Sequence, residues 1–150
     1  MTDAYRIVQP SFERHEVHFV RDFEEMPAVL VDKHKVLQIL LNLFRNAKEA
    51  IKESNNRPRT IRVRIRRHGS GFVRIEVKDS GIGLARENLT RIFAHGFTTK
   101  RDGHGFGLHS GALDVKQMGG ALSAESDGPG LGATFILELP IMQAQERNAV

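Results

Sequence analysis

From residue 33 onward the apolar positions fall at helical spacing. Val36, Ile39, Leu40, Leu43, Ala47, Ala50 and Ile51 share one broad face at about 100° per residue. This predicts a long helix from Lys33 to about Ser54, with Asp32 as its N-cap and Asn55, Asn56 and Pro58 ending it. The period then shortens to two. Ile61, Val63 and Ile65 alternate with arginines over 60–67, and Val73, Ile75 and Val77 alternate with polar residues over 72–78. The two runs predict a hairpin turning at His68–Gly71. A short helix over Ala85–Phe93 would bury Leu89, Ile92 and Phe93. A second, over Leu108–Met118, carries Leu108, Ala112, Val115 and Met118 and closes at Gly119 and Gly120. Strands over Ala121–Ser126 and Ala133–Leu139 follow, joined by residues 127–130. At the start, residues 3–15 read as partly helical with Pro10 interrupting, and Glu16–Phe23 as a strand with Val17, Phe19 and Arg21 on one face. The order implies a two-layer α/β (α+β) sandwich, with a mixed sheet of about five strands covered on one face by helices.

Composition narrows the function classes. The 150 residues and 40% hydrophobic content suit one domain with one core. With no cysteine, disulfides and thiolate-bound zinc are excluded. No apolar run approaches the roughly 20 residues that span a bilayer, and the N-terminus lacks the apolar centre of a signal peptide. The formal charge of +4 is largely local. Arg62, Arg64 and Arg66 form the outer face of a strand, and no aromatic residues interleave with them as a stacking platform for nucleic acid requires. No nucleic-acid partner and no direct membrane contact are therefore expected.

The chemistry concentrates in residues 79–108. Asp79 sits at a strand end, and Gly81 and Gly83 allow a turn and the close approach of a flat ligand. An ionised Asp accepts hydrogen bonds only, so it suits an exocyclic amine. Gly103, Gly105 and Gly107 lead into the helix beginning near Leu108, where unpaired N–H groups and the helix dipole favour phosphate. Neither common glycine-rich nucleotide fingerprint is present. On the long helix Gln38, Asn42, Asn46 and Glu49 form a polar stripe. A solvated helix face is the bland reading of it; oxygen ligands for Mg²⁺ are the chemical one. Arg45 and Lys48 flank this stripe as candidate phosphate neutralisers. Residues 94–105 form a long loop of the kind that serves as a lid. His95, His104 and His109 have no fixed ligand spacing, and zinc is not expected.

Taken in order, Asn42…Asn46, DSGIG, IFAHGFTTK, GHGFGL and GLGATF closely resemble the ATP-binding catalytic domain of sensor histidine kinases. That family belongs with the gyrase, Hsp90 and MutL ATPases, and the resemblance runs from about Asp32 to Pro140. It implies the Bergerat-type ATP-binding fold. Asp79 would select adenine, assisted by Thr134. Asn46 would hold Mg²⁺, and Gly103, Gly105, Gly107 and Leu108 would cradle phosphates. Thr98, Thr99 and Lys100 would form the lid, with Lys100 as its cation. Asn42 stands where hydrolytic relatives carry a glutamate base, so phosphoryl transfer is favoured over hydrolysis. The alternatives are an anti-sigma-type serine kinase and a hydrolytic ATPase of the same superfamily.

The acceptor would be a histidine on a separate dimerisation domain, which would also engage a response regulator. None of the seven histidines lies in the H-[ED]-x-x-x-[NT]-P pattern that such kinases phosphorylate. The expected division is residues 1–31 leading from a helical hairpin, 32–140 as the ATP-binding core, and 141–150 as a tail. The isolated domain is expected to be monomeric and cytoplasmic, whether or not its parent is membrane-anchored.

Overall fold

The stretches of period two pair into one sheet, and the helical stretches cover one face of it. The computed structural model describes residues 2–23, 33–69, 71–93 and 106–141. The elements are α1 (Thr2–Arg14), β1 (His18–Phe23), α2 (Lys33–Lys52), β2 (Thr60–His68) and β3 (Phe72–Asp79), then α3 (Asn88–Arg91), α4 (Phe106–Gln117), β4 (Ala121–Glu125) and β5 (Ala133–Pro140). The strand order is β1-β2-β3-β5-β4. β1 runs parallel to β2, and every other pairing is antiparallel. The expected mixed five-stranded sandwich is therefore present.

The register decides what each face carries. Val77 pairs with Val63 and Phe135, and Ile75 with Ile65 and Leu137. These apolar rows face the helices and join Ile39, Leu40, Leu43, Phe44 and Ala47 of α2 in the core. The alternate rows carry Arg62, Arg64, Arg66, Arg74, Glu76 and Lys78, as the period of two requires. Phe44 is fully buried, and its ring meets Phe12 at 6.3 Å and Phe19 at 5.6 Å between centroids. This cluster fastens α1 and β1 onto α2.

Three local expectations are corrected. Pro10 does not interrupt α1; it lies inside a continuous helix. An internal proline costs about 3 kcal/mol, and burying one large apolar side chain returns roughly 1.5–3 kcal/mol. With Phe12 and Ala4 buried and Val8 packed against the core, tertiary contact outweighs the local penalty. β1 begins at His18 rather than Glu16, because Glu16 adopts φ 57°. Its N–H bonds to Glu13 O and that of Val17 to Phe12 O, so the chain reverses before the strand can start. The helix predicted over 85–93 shortens to Asn88–Arg91, though Ile92 is buried as expected. Gly119 and Gly120 close α4 through N–H bonds to Lys116 O and Val115 O.

Candidate functional site

Asp79 is the last residue of β3 and is only 3% exposed. Its side chain shares the helix-facing row with Ala133, its partner on β5. Oδ1 accepts the Gly81 N–H at 2.8 Å, which turns the chain sharply after the strand. Oδ2 is buried and has no hydrogen-bond partner. Burial pushes the carboxyl up to about 6, opposed by the backbone N–H groups of Gly81 and Ala133. At neutral pH the group is mainly ionised, and a buried acceptor of this kind is costly until a donor reaches it.

The loop after Asp79 packs on α2. A β-carbon at Gly81 would lie 2.5 Å from the Ala50 carbonyl carbon, and the Ile82 N–H bonds to Ala50 O at 3.1 Å. Gly83 has φ 71° and abuts Gly128 O. The sequence suggested that these glycines open the main chain to a ligand. In the structure the space is taken by the protein's own backbone, so their smallness first serves to seat the loop.

Two polar side chains that the sequence reading did not single out lock this loop to the one before β5. The Asn56 amide donates from Nδ2 toward Ser80 O at 3.1 Å, Gly81 O at 3.3 Å and Gly130 O at 2.8 Å. Ser126 Oγ donates to Gly132 O at 2.6 Å and accepts the N–H groups of Leu84 at 3.1 Å and Gly128 at 3.2 Å. Gly130 N also bonds to Ile82 O, and Gly132 N to Gly81 O. Loops 79–84 and 126–132 thus form one braced rim around the Asp79 carboxylate.

Asn42 and Asn46 are half-buried on α2, whereas Arg45 is exposed. The helical rise places Asn46 about 6 Å and Asn42 about 12 Å along the axis from Ala50, where the Asp79 loop is seated. Both amides therefore extend one wall away from that loop. Lys48 turns aside and donates to Ser11 Oγ on α1 at 3.0 Å. α4 begins at Phe106, so Gly107 and Leu108 lie in its first turn, where N–H groups lack intrahelical partners. Leu108 packs against the core, and His109 Nδ1 lies 3.1 Å from Phe93 O, tying this turn to the chain after α3. α2 and α4 pack against each other. Thr98, Thr99, Lys100, Gly103 and Gly105 lie outside the described residues.

Thr134 is placed differently from its expected position. It pairs with Lys78, one residue out of step with the Asp79–Ala133 pair. Successive strand residues point to opposite faces, so Thr134 lies on the far side of the sheet from the Asp79 carboxylate. Ala133 is the residue beside it.

Residues 31–143 match the family of histidine kinase-, DNA gyrase B- and HSP90-like ATPases. The chain belongs to this family. Among curated relatives, the sensor histidine kinase ZraS of Klebsiella oxytoca is 41% identical over 127 residues, 83% of this chain and 26% of that protein. Among solved structures, full-length ShkA in complex with AMPPNP superposes with a TM-score of 0.84 at 27% identity, covering 95% of this chain and 29% of that one. The nucleotide-free catalytic domain of the histidine kinase ThkA gives 0.79 at 26% identity, covering 93% of this chain and 88% of the domain. The chain spans about a quarter of the curated relatives it matches. In this family of nucleotide-binding domains, a buried carboxylate with one satisfied and one waiting oxygen fits a ligand that brings an N–H donor. No helix among the described residues is long and apolar enough to cross a membrane.

Proposed function

We propose that this chain is the ATP-binding catalytic domain of a sensor histidine kinase, and that it presents the γ-phosphoryl group of ATP to a histidine on a separate dimerisation domain. The observation that carries this reading is the buried, partnerless Oδ2 of Asp79 inside the rim braced by Asn56 and Ser126. An exocyclic amine of adenine supplies the missing donor, whereas guanine presents a carbonyl at the corresponding position and would oppose two acceptors.

The remaining roles rest on the family resemblance and, for the described residues, on their place in the fold. Asn46 would offer its carboxamide oxygen to Mg²⁺, which would neutralise phosphate charge and orient the phosphoryl group. The N–H groups of the first turn of α4, including Gly107 and Leu108, would receive phosphate oxygens, with Gly103 and Gly105 before them. Thr98, Thr99 and Lys100 would close over the phosphates, with Arg45 as a second cation at the exposed edge. Asn42 has no basic lone pair with which to deprotonate water, which disfavours hydrolysis as the main outcome. Catalysis is then mainly positioning and charge stabilisation. Residues 1–31 would lead in from the dimerisation hairpin, 32–140 would form the catalytic core and 141–150 a tail. The response regulator would be reached through the histidine-bearing domain.

Calorimetric titration with Mg²⁺-ATP and Mg²⁺-GTP tests the core of the proposal. Saturable binding of ATP that GTP does not match is expected; equal binding of both, or no binding of either, overturns it. The isolated chain should not become stoichiometrically radiolabelled from γ-labelled ATP, and such labelling would contradict the assignment of the acceptor to another domain.

A further inference from the structure

The sheet face opposite the Asp79 carboxylate carries a recess of about 460 Å³ at the same end of the strands. Arg57, Arg62 and Lys78 line it, together with Thr60 and the apolar Pro58 and Leu131. Arg62 and Lys78 are direct cross-strand partners. Two like charges in that position destabilise a sheet unless something lies between them.

The rest of this face shows how such charges are normally handled. Arg66 meets Asp22 at 2.6 Å, Arg64 lies 3.3 Å from Asp22 and 4.0 Å from Glu76, and Arg74 lies 3.4 Å from Glu76. Every arginine farther along these rows thus has a carboxylate. Among the described residues, Arg62 and Lys78 have none. Among the described residues Asp79 is the one acidic residue at the wall of the recess, and its carboxylate lies on the helix-facing side with Ala133. Arg57 contributes a third cation; one guanidinium nitrogen, Nη1, donates to Asn56 O at 2.9 Å, which leaves other N–H groups of the fork for a ligand.

We infer that this recess binds a small polyanion, bearing phosphate or paired carboxylates, on the outer face of the sheet, backing onto the rim whose Asn56, Ser80 and Gly130 also border it. Its volume suits a small molecule, its cations suit bidentate anion recognition, and its walls accept a short apolar body. The inference rests on Arg57, Arg62 and Lys78 and does not depend on the assignment of adenine to Asp79.

Backbone amide shifts of the ¹⁵N-labelled chain, followed at constant ionic strength while pyrophosphate or succinate is added, test it. Saturable shifts are expected at Arg57, Arg62, Lys78, Ser80 and Leu131, with pyrophosphate the better probe if phosphate is recognised and succinate if carboxylates are. The double variant Arg62→Gln/Lys78→Gln should weaken that binding about tenfold or more while leaving the thermal midpoint unchanged or higher. If that variant does not fold, Arg57→Gln serves instead, because Arg57 is an exposed loop residue. Shifts that never saturate, equal affinity in the variant, or saturable shifts confined to Asn46 and Leu108 would each overturn the inference.

Discussion

Asp79 accepts the Gly81 N–H at 2.8 Å with one carboxylate oxygen and holds the other buried without a partner. The turn is thereby built at the expense of the strand end that carries it. Because burial raises this carboxyl from 3.8 to about 6, the native state binds more protons than the unfolded chain between those values. The stabilisation from this group is complete below 3.8 and is lost as pH rises through about 6. The gap corresponds to roughly 3 kcal/mol at most. Asp79→Asn keeps an acceptor for Gly81 and removes the charge. Denaturant unfolding should therefore show it about 1–3 kcal/mol more stable than the parent at pH 8, with the advantage gone near pH 3. The same variant should lose ATP binding, which separates a functional defect from a folding one.

Nucleotide affinity should follow the same titration. If the ionised carboxylate is the form that receives the adenine amine, ATP binding weakens as pH falls through about 6, by about tenfold at pH 5. Near pH 6 binding should also release a proton, visible as a dependence of calorimetric heat on the ionisation enthalpy of the buffer. Affinity that is flat from pH 8 to 5 would place the recognition elsewhere.

Gly81→Ala is expected to destabilise the domain by about 1–3 kcal/mol or more, since its β-carbon meets the main chain of α2 rather than a yielding side chain. Gly71→Ala is the matched control. A β-carbon there meets nothing within 4 Å, and urea denaturation should find it close to neutral.

Asn56→Ala removes the donor shared by Ser80 O, Gly81 O and Gly130 O. A loss of about 1–3 kcal/mol in stability is expected. Faster hydrogen exchange at Gly130 and Gly132 should accompany it, because their N–H groups cross the braced rim to Ile82 O and Gly81 O. Unchanged exchange at these amides would show that Ser126 alone suffices.

The periodic elements were legible because α2, β2 and β3 each carry a long, regular apolar pattern, and Asp79 stood out at the end of one of them. What escaped the sequence has physical causes. Asn56 reads locally as a helix stop, and its contacts at Ser80 and Gly130 are distant in the chain. Thr134 and Ala133 differ by one residue, and one residue is the difference between the two faces of a strand. Pro10 obeys a local rule that the burial of Phe12 overrides. Phe44, adjoining the predicted stripe, proved to be at its centre, because α1 and β1 cover a flank of α2 that periodicity alone leaves open.

The placement of β5 between β3 and β4 has a kinetic consequence. β2 and β3 are close in the chain, His68 being followed so soon by Phe72, and can pair early, whereas β3 meets β5 only after the intervening chain, α4 included, has been brought into place. The two halves of the Asp79 rim come from before and after that chain, so the pocket is completed only when β5 docks. A ligand of this pocket can then act on the finished domain but not as a seed for it. Saturating ATP should slow unfolding while leaving the refolding rate constant unchanged. Accelerated refolding would mean that the rim assembles before the sheet does.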